Sequence, residues 1–146
     1  MSTHLIIANQ TLAGDALLRE VGQRIDAGPA QFHVVVPATP TSRAWTSMTW
    51  DEEEAWRAAS QRLEALLEWL RSRGAEADGE IGDRDPVMAA RDAIRRRPID
   101  EIILSTLPAG KSRWLRQDVV GRLRAAVAIP VTVVTPAPLP VEARAS

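Results

Sequence analysis

The chain has 146 residues, of which 45% are hydrophobic and 25% are charged, a balance typical of a folded globular domain and not of a disordered segment. Cysteine is absent, which excludes disulfides, zinc–thiolate sites, iron–sulfur clusters and cysteine nucleophiles. The net charge of −1 gives no field that favours nucleic acid or an anionic membrane, and no run approaches the roughly 20 apolar residues of a spanning helix. We therefore expect one soluble, cytoplasmic domain.

Strand-like apolar runs alternate with helical stripes along the chain. The first half predicts a strand over His4–Ala8, a helix that ends at Gly28-Pro29, a strand over Gln31–Val36 stopped by Pro37, a loop over 37–50, and a helix from a capping box at Thr49-Trp-Asp-Glu52 to Gly74. The second half predicts an acidic strand over Ala75–Ile81, a helix from Asp85-Pro86 to about Arg97, a strand over Ile99–Leu104, a helix over Trp114–Val127 and a strand over Pro130–Thr135.

This alternation predicts an α/β fold with a parallel sheet covered by helices on both faces. Right-handed crossovers restrict it to a Rossmann-like or flavodoxin-like three-layer sandwich with five parallel strands in the order 3-2-1-4-5. The domain covers residues 1–135, and residues 136–146 form a proline-rich tail. In such a sheet ligands bind beyond the carboxyl ends of the strands, where the strand order reverses. That point lies between the first and fourth strands.

The segment over residues 105–116, which follows the fourth strand, reads Ser-Thr-Leu-Pro-Ala-Gly-Lys-Ser-Arg-Trp-Leu-Arg. It turns through proline and glycine and opens a helix, and residues 111–124 hold five basic residues against the single acid Asp118. Free amides at a helix N-terminus together with nearby cations form an anion site, which predicts phosphate binding. The alternative is an ordinary connection in which Ser112 caps the helix.

The predicted binding set combines this segment with the ends of the first and second strands. We assign nucleotide or phosphate contacts to Asn9, Gln10, Val36, Ser105, Thr106, Gly110, Lys111, Ser112, Arg113 and Arg116. We assign no catalytic residue and no metal ligand.

The same segment departs from a P-loop, whose pattern is glycine, four residues, then Gly-Lys-Ser/Thr. Gly110-Lys111-Ser112 matches the second half, but Ser105 stands where the first glycine belongs. Pro108 also removes a backbone amide that the loop needs. We therefore reject a P-loop nucleotide hydrolase.

The element order, the strand Ile99-Asp-Glu-Ile-Ile-Leu-Ser-Thr106 and the closing Ile129-Pro-Val-Thr-Val-Val134 resemble the universal stress protein family over residues 4–135. The resemblance implies the same α/β fold, a homodimer through the last strand, and ATP or another adenine nucleotide as ligand. ATP-binding members carry Gly-x-x-Gly, nine residues, then Gly-Ser/Thr. These four positions fall on Ser105, Pro108, Asp118 and Val119, and the aspartate usual after the first strand is missing. We therefore expect weak ATP binding or none.

Three tryptophans, Trp45, Trp50 and Trp56, lie around the predicted loop, with Arg43 beside the first. We expect Trp50 and Trp56 to anchor the loop and the helix to the sheet. The alternative is an aromatic surface for a protein partner, since such residues dominate interface hot spots.

His4 and His33 have no carboxylate or histidine partner at metal-ligand spacing in the sequence, and we interpret both as structural or surface residues. The run Arg95-Arg96-Arg97 ends a predicted helix, where positive charge is favoured by the helix dipole. We interpret it as a cap and not as a nucleic-acid patch.

Two functions from different classes follow. The first is a universal stress protein-like regulatory module that binds a nucleotide or another phosphate-bearing ligand, without enzymatic activity. The second is a protein–protein interaction scaffold that does not bind nucleotide and works through its dimer surface or its tryptophan-bearing loop. In both cases we predict a homodimer through Pro130–Thr135, because an uncharged, β-branched edge strand needs a cover.

Overall fold

The structure, a computed structural model, describes residues 1–8, 14–39, 50–107, 114 and 117–135. Within these residues five strands alternate with four helices. The elements in chain order are β1 (Ser2–Ile7), α1 (Asp15–Asp26), β2 (Ala30–Thr39), α2 (Trp50–Ser72), β3 (Glu76–Asp83), α3 (Pro86–Arg96), β4 (Glu101–Ser105), α4 (Val119–Ala126) and β5 (Val131–Val134).

The strands form one parallel sheet in the order β3-β2-β1-β4-β5, which confirms the predicted fold class. Side chains that alternate along each strand enter two separate apolar layers. Ile6 and Val34 pack beneath α1 and α2, whereas Leu5 and Val35 pack beneath α3 and α4. Because both faces are covered, β1 reads as an apolar run and not as an alternating strand.

Local sequence sets the helix ends. The Asp85 side chain accepts a hydrogen bond from the Val87 backbone N–H at 3.0 Å, and Pro86 opens α3. Gly74 follows α2 at φ +87°, in the left-handed region that glycine favours, and its N–H donates to the Arg71 carbonyl. Both signals were readable in the sequence.

β2 is longer than predicted, because Pro37 does not end it. The strand continues to Thr39, and Pro37 is paired with Gly82 of β3. Among the described residues, pairing of β2 with β1 extends to Val35, and Pro37 lies two positions beyond it. A proline is compatible with a strand at a position of this kind, near the end of the strand and beyond its central pairing.

The helix predicted over Trp114–Val127 is not continuous. Asp118 lies in the left-handed region, with φ 52° and ψ 44°, and α4 begins only at Val119. The Asp118 side chain caps the helix by accepting from the Gly121 N–H at 3.2 Å. A single left-handed residue interrupts helical backbone, and aspartate is one of the few residue types that tolerates that conformation.

The two sheet edges differ in chemistry. At the β3 edge the strand carries four acids and no base, and Arg71 donates to the Ala77 carbonyl at 2.8 Å. At the other edge β5 spans only Val131–Val134 and has no charged residue, although Arg124 donates to the Val131 carbonyl at 3.2 Å. The proline-rich tail predicted over 136–146 lies outside the described residues.

Close approach between α2 and the β2–β3 pair requires a glycine at position 79. A Cβ there would lie 2.7 Å from Leu63 Cδ1 and 2.7 Å from the Val34 carbonyl oxygen. We expect Gly79→Ala to lower the free energy of unfolding by about 1–3 kcal/mol because backbone and core must shift. Urea denaturation measures this change. Gly22→Ala is the control, because position 22 is helical with no atom within 4 Å of a new Cβ, and it should leave stability unchanged or raise it by up to about 1 kcal/mol. Equal effects of the two variants would contradict the packing argument.

Candidate functional site

Parallel register brings three of the predicted site segments to one edge of the sheet. Ile7 of β1 is paired with Val35 of β2 and with Leu104 of β4. The next position along each strand, Ala8, Val36 and Ser105, therefore lies at the same level of the carboxyl edge. This is the point where strand order reverses, and it is where doubly wound sheets bind ligands.

Three of the predicted contact residues are described, and all are buried. Val36 is fully enclosed in the apolar layer under α1 and α2, so any ligand contact that it makes would use its backbone. Ser105 and Thr106 are also buried. The Thr106 hydroxyl lies 2.8 Å from that of Thr135 and donates to the Leu107 carbonyl, which joins the ends of β4 and β5.

The remaining predicted contacts lie outside the described residues. They are Asn9, Gln10, Gly110, Lys111, Ser112, Arg113 and Arg116. Their assignment to the site stays a prediction.

Part of the basic charge near α4 is used within the protein. Arg122 forms an ion pair with Asp85 at 3.0 Å, which joins the first turn of α4 to the N-cap of α3. Arg124 is the residue that bonds to the Val131 carbonyl. An anion site in this region therefore depends on Lys111, Arg113 and Arg116. Sequence reasoning missed the Arg122–Asp85 pair because its members are 37 residues apart.

Asp118 adopts the backbone conformation that glycine takes most readily, at the position where the universal stress protein motif has a glycine. Its carboxylate lies over the first turn of α4, and a Cβ on Gly121 would come within 2.5 Å of Asp118 Oδ2. A carboxylate therefore already caps the helix end that would otherwise attract a phosphate.

The expectation that Trp50 anchors the sheet is wrong. Trp50 is the first residue of α2 and is 69% exposed, because its position on the first turn points away from the apolar stripe of Ala59, Leu63 and Leu66. Trp56, one and a half turns later, is partly buried. Trp45 and Arg43 lie outside the described residues.

Both histidines are buried residues, as the structural interpretation expects, and each contacts an acid of a neighbouring strand that is far away in the sequence. His4 Nδ1 lies 2.7 Å from Glu101 Oε1, on the adjacent strand. Arg24 of α1 donates to both Glu101 oxygens at 3.0 Å, and the Thr132 hydroxyl donates to Glu101 Oε2 at 3.0 Å. The hydrogen bonds from Arg24 are the largest cause that lowers the pKa of Glu101 to about 2. This network joins α1, β1, β4 and β5.

His33 forms the second network, on the opposite face of the sheet. Its ring contacts Asp78 and Glu80 of β3, and these acids also receive Arg97 and Arg96 from the end of α3. Arg96 and Arg97 therefore hold the end of α3 against the acidic edge strand, whereas Arg95 pairs with Asp92 of its own helix. Across the described ranges, no three His, Asp or Glu residues are arranged to hold a metal ion.

The strand order and the helices on both faces define a doubly wound α/β domain of the flavodoxin-like kind. Comparison with solved structures identifies a more specific fold within that class. The chain is 17% identical to a universal stress protein family protein from Burkholderia pseudomallei, with a TM-score of 0.62 and coverage of 91% of this chain and 95% of that one. It is 11% identical to a family protein from Arabidopsis thaliana with AMP bound, with a TM-score of 0.64 and 92% of each chain covered. A universal stress protein from Archaeoglobus fulgidus in complex with dAMP is 15% identical, with a TM-score of 0.58 and coverage of 92% and 97%.

These likenesses confirm the inferred resemblance at the level of the fold: the chain has the fold of universal stress proteins. No protein-family model matches the sequence, and no curated protein matches it. Among the described helices, none combines the length and apolarity needed to cross a membrane.

The low pKa of Glu101 predicts a pH-dependent contribution to stability. Because the folded-state pKa of about 2 lies below the unfolded value, the contribution is present above about pH 4.3 and is lost as pH falls toward 2. We expect Glu101→Gln to lower the free energy of unfolding at neutral pH by about 1–3 kcal/mol. Guanidinium denaturation at pH 7 and pH 3 should show a smaller difference between variant and wild type at the lower pH.

Glu20→Gln is the matched control, since Glu20 pairs with the same Arg24 one helical turn away. It should cost at most about 0.5 kcal/mol. A Glu101→Gln variant as stable as the Glu20→Gln control would contradict a network centred on Glu101.

Proposed function

We propose that the chain is a universal stress protein-like binding module that takes an adenine nucleotide, or another phosphate-bearing ligand, at the carboxyl edge between β1 and β4. The observation that carries the proposal is the meeting of the β1 and β4 ends at the point where strand order reverses, directly before the basic segment 105–116. We assign it a binding role and no catalytic one, because neither Ser105 nor Ser112 has a histidine near it in the sequence to act as a base.

The fold is shared with structures that hold AMP and dAMP, and this supports a nucleotide as the ligand class. The ligand would lie over Ala8 and Ser105, with its phosphate toward Lys111, Arg113 and Arg116. Backbone groups near Val36 would contact the part of the ligand away from the phosphate. The buried Thr106 hydroxyl, through its contact with the Thr135 hydroxyl, would hold the floor of the site in place.

The Asp118 carboxylate favours a ligand with few negative charges. It caps α4 from within the protein, so a phosphate chain that reached this helix end would meet a fixed negative charge. We therefore favour a nucleoside monophosphate or a small phosphate ester over ATP.

An interaction scaffold is the second candidate, and one observation favours it. Trp50 exposes 69% of its surface at the start of α2, and an exposed tryptophan is a frequent anchor of protein interfaces. In that case the Asp118 cap would mark a pocket that no longer receives phosphate.

A thermal-shift comparison tests the binding proposal. We expect phosphate and AMP to raise the Tm of the wild type more than chloride does at matched ionic strength. The stabilisation would be about 1–3 kcal/mol at saturation, because a ligand that binds only the folded state stabilises it. The double variant Lys111→Ala/Arg113→Ala should lose this difference.

The double variant Arg19→Ala/Arg91→Ala is the control, because it removes the same charge from two exposed helical positions. It should respond as the wild type does. An equal response of all three proteins would leave only a general salt effect and would overturn the anion site.

The homodimer is a further part of the proposal. Hydrogen bonds from Ile102 of β4 and from Thr106, which follows β4, end on the carbonyls of Pro130 and Val134. Since alternate residues of a strand present their backbone groups to the same side, Val131 and Val133 present theirs to the open edge, where the Val131 carbonyl accepts from Arg124. Pairing of β5 with its own copy about a two-fold axis would satisfy those groups.

We expect Val133→Pro to convert the dimer to a monomer, because it removes an outward amide and leaves the bonds from β4 in place. Light scattering should then give a mass of about 16 kDa in place of about 32 kDa, from a chain of 16.0 kDa. Val133→Ala keeps the amide and should remain dimeric, and circular dichroism verifies that both variants are folded. A wild type that is monomeric at micromolar concentrations would overturn the dimer.

A further inference from the structure

His33 is 3% exposed and lies between two carboxylates of the edge strand β3. Its Nδ1 is 2.8 Å from Asp78 Oδ1, and its Nε2 is 3.1 Å from Glu80 Oε2. Both distances are those of hydrogen bonds. Both ring nitrogens therefore face an oxygen that belongs to a carboxyl group.

An ionised carboxylate only accepts hydrogen bonds, and a neutral imidazole has one donor and one acceptor. Two carboxylates on the two ring nitrogens are satisfied together only when both nitrogens carry protons. A neutral ring would place a lone pair against a carboxylate oxygen, at a ring that is itself buried.

The charges around the ring favour ionised acids. Burial raises the pKa of Asp78 and of Glu80, but hydrogen bonds from His33 and Arg97 to Asp78, and from Arg96 to Glu80, hold both pKa values below their ordinary range. Arg97 Nη1 lies 3.1 Å from both Asp78 oxygens, and Arg96 Nη2 lies 2.7 Å from Glu80 Oε1.

Each neighbouring element contributes to this arrangement. β3 supplies the two acids, and α3 supplies the two arginines together with Asp92, whose carbonyl accepts from Arg96. β1 supplies the apolar Leu5 at the paired position. Among the titratable groups of this cluster, the imidazole ring is the one that is neither a carboxylate nor a guanidinium.

The geometry points to a proton-dependent latch: His33 as an imidazolium clamps the edge strand β3 to β2, and loss of its proton loosens β3 together with the arginine-bearing end of α3.

The direction of the pH dependence follows from the hydrogen bonds. Two ionised carboxylates can both accept only from a ring that carries a proton on each nitrogen. The stabilisation is therefore present while the ring is doubly protonated and is lost when rising pH removes one of those protons. It is lost again in strong acid, when Asp78 and Glu80 become protonated.

The first measurement is nitrogen NMR of the histidine rings in the wild-type protein at pH 6.5. We expect the His33 ring to show two protonated nitrogens, each coupled to a hydrogen. His4→Gln assigns the signals, because the chain has two histidines. A His33 ring with one protonated and one bare nitrogen would overturn the latch.

The second measurement is amide hydrogen exchange of Ala77–Ile81 at about pH 6.5 and pH 9, corrected for the intrinsic rate. We expect protection in the wild type to fall about tenfold or more on going to the higher pH, the size of one lost charged hydrogen bond. His4→Gln should behave in the same way, since His4 lies in the other network. His33→Gln should show low protection at both values.

Glu80→Gln is the alternative test variant if His33→Gln does not fold. Its amide can donate to a bare Nε2, so a neutral ring remains satisfied and the pH dependence should shrink while the fold is kept. Unchanged pH dependence in Glu80→Gln, or protection in the wild type that does not change with pH, would overturn the proposal.

Discussion

The fold depends on the burial of the central strand β1, whose backbone groups need hydrogen-bond partners on both sides and whose side chains need apolar contacts on both faces of the sheet. Leu5, Ile6, Ile7 and Ala8 have no exposed surface, so their amides and carbonyls must bond to β2 and β4, and their side chains must meet two helical layers. That requirement fixes the register of both neighbouring strands. It also puts Ala8, Val36 and Ser105 level with one another. The position of the candidate site therefore follows from the same strand register that buries β1.

Sequence reasoning recovered this architecture because its signals are local. The helical stripe of α2, the Asp85-Pro86 start of α3 and the apolar runs of β1 and β4 need no knowledge of distant residues. The errors arose where a distant partner decides. Pro37 remains within β2, where it is paired with Gly82 of β3. Asp118 interrupts a helical stripe that is otherwise continuous, since a left-handed residue leaves no trace in hydrophobic periodicity.

The polar networks were invisible for the same reason. His4 and Glu101 are 97 residues apart, and His33 and Asp78 are 45 apart, so no spacing rule connects them. They become neighbours only through strand register. The basic segment 105–116 was recognisable as a candidate anion site from residue type alone. The ion pair between Arg122 and Asp85 could not be predicted from the sequence, because the two residues meet only when helices α3 and α4 pack together.

The two sheet edges differ in what they offer to a second copy of the chain, and this difference bears on whether copies could form a closed dimer or an open filament. An open-ended filament of sheets needs two complementary edges on each subunit, so that every added copy presents a new one. Here an arginine covers one carbonyl on each edge, Arg71 on β3 and Arg124 on β5, but only β3 carries acids. In the proposed dimer, association through β5 would use the uncharged edge of both copies at once. The assembly would then close as a pair that exposes only the acidic β3 edges, and charge on an edge strand disfavours β-rich aggregation.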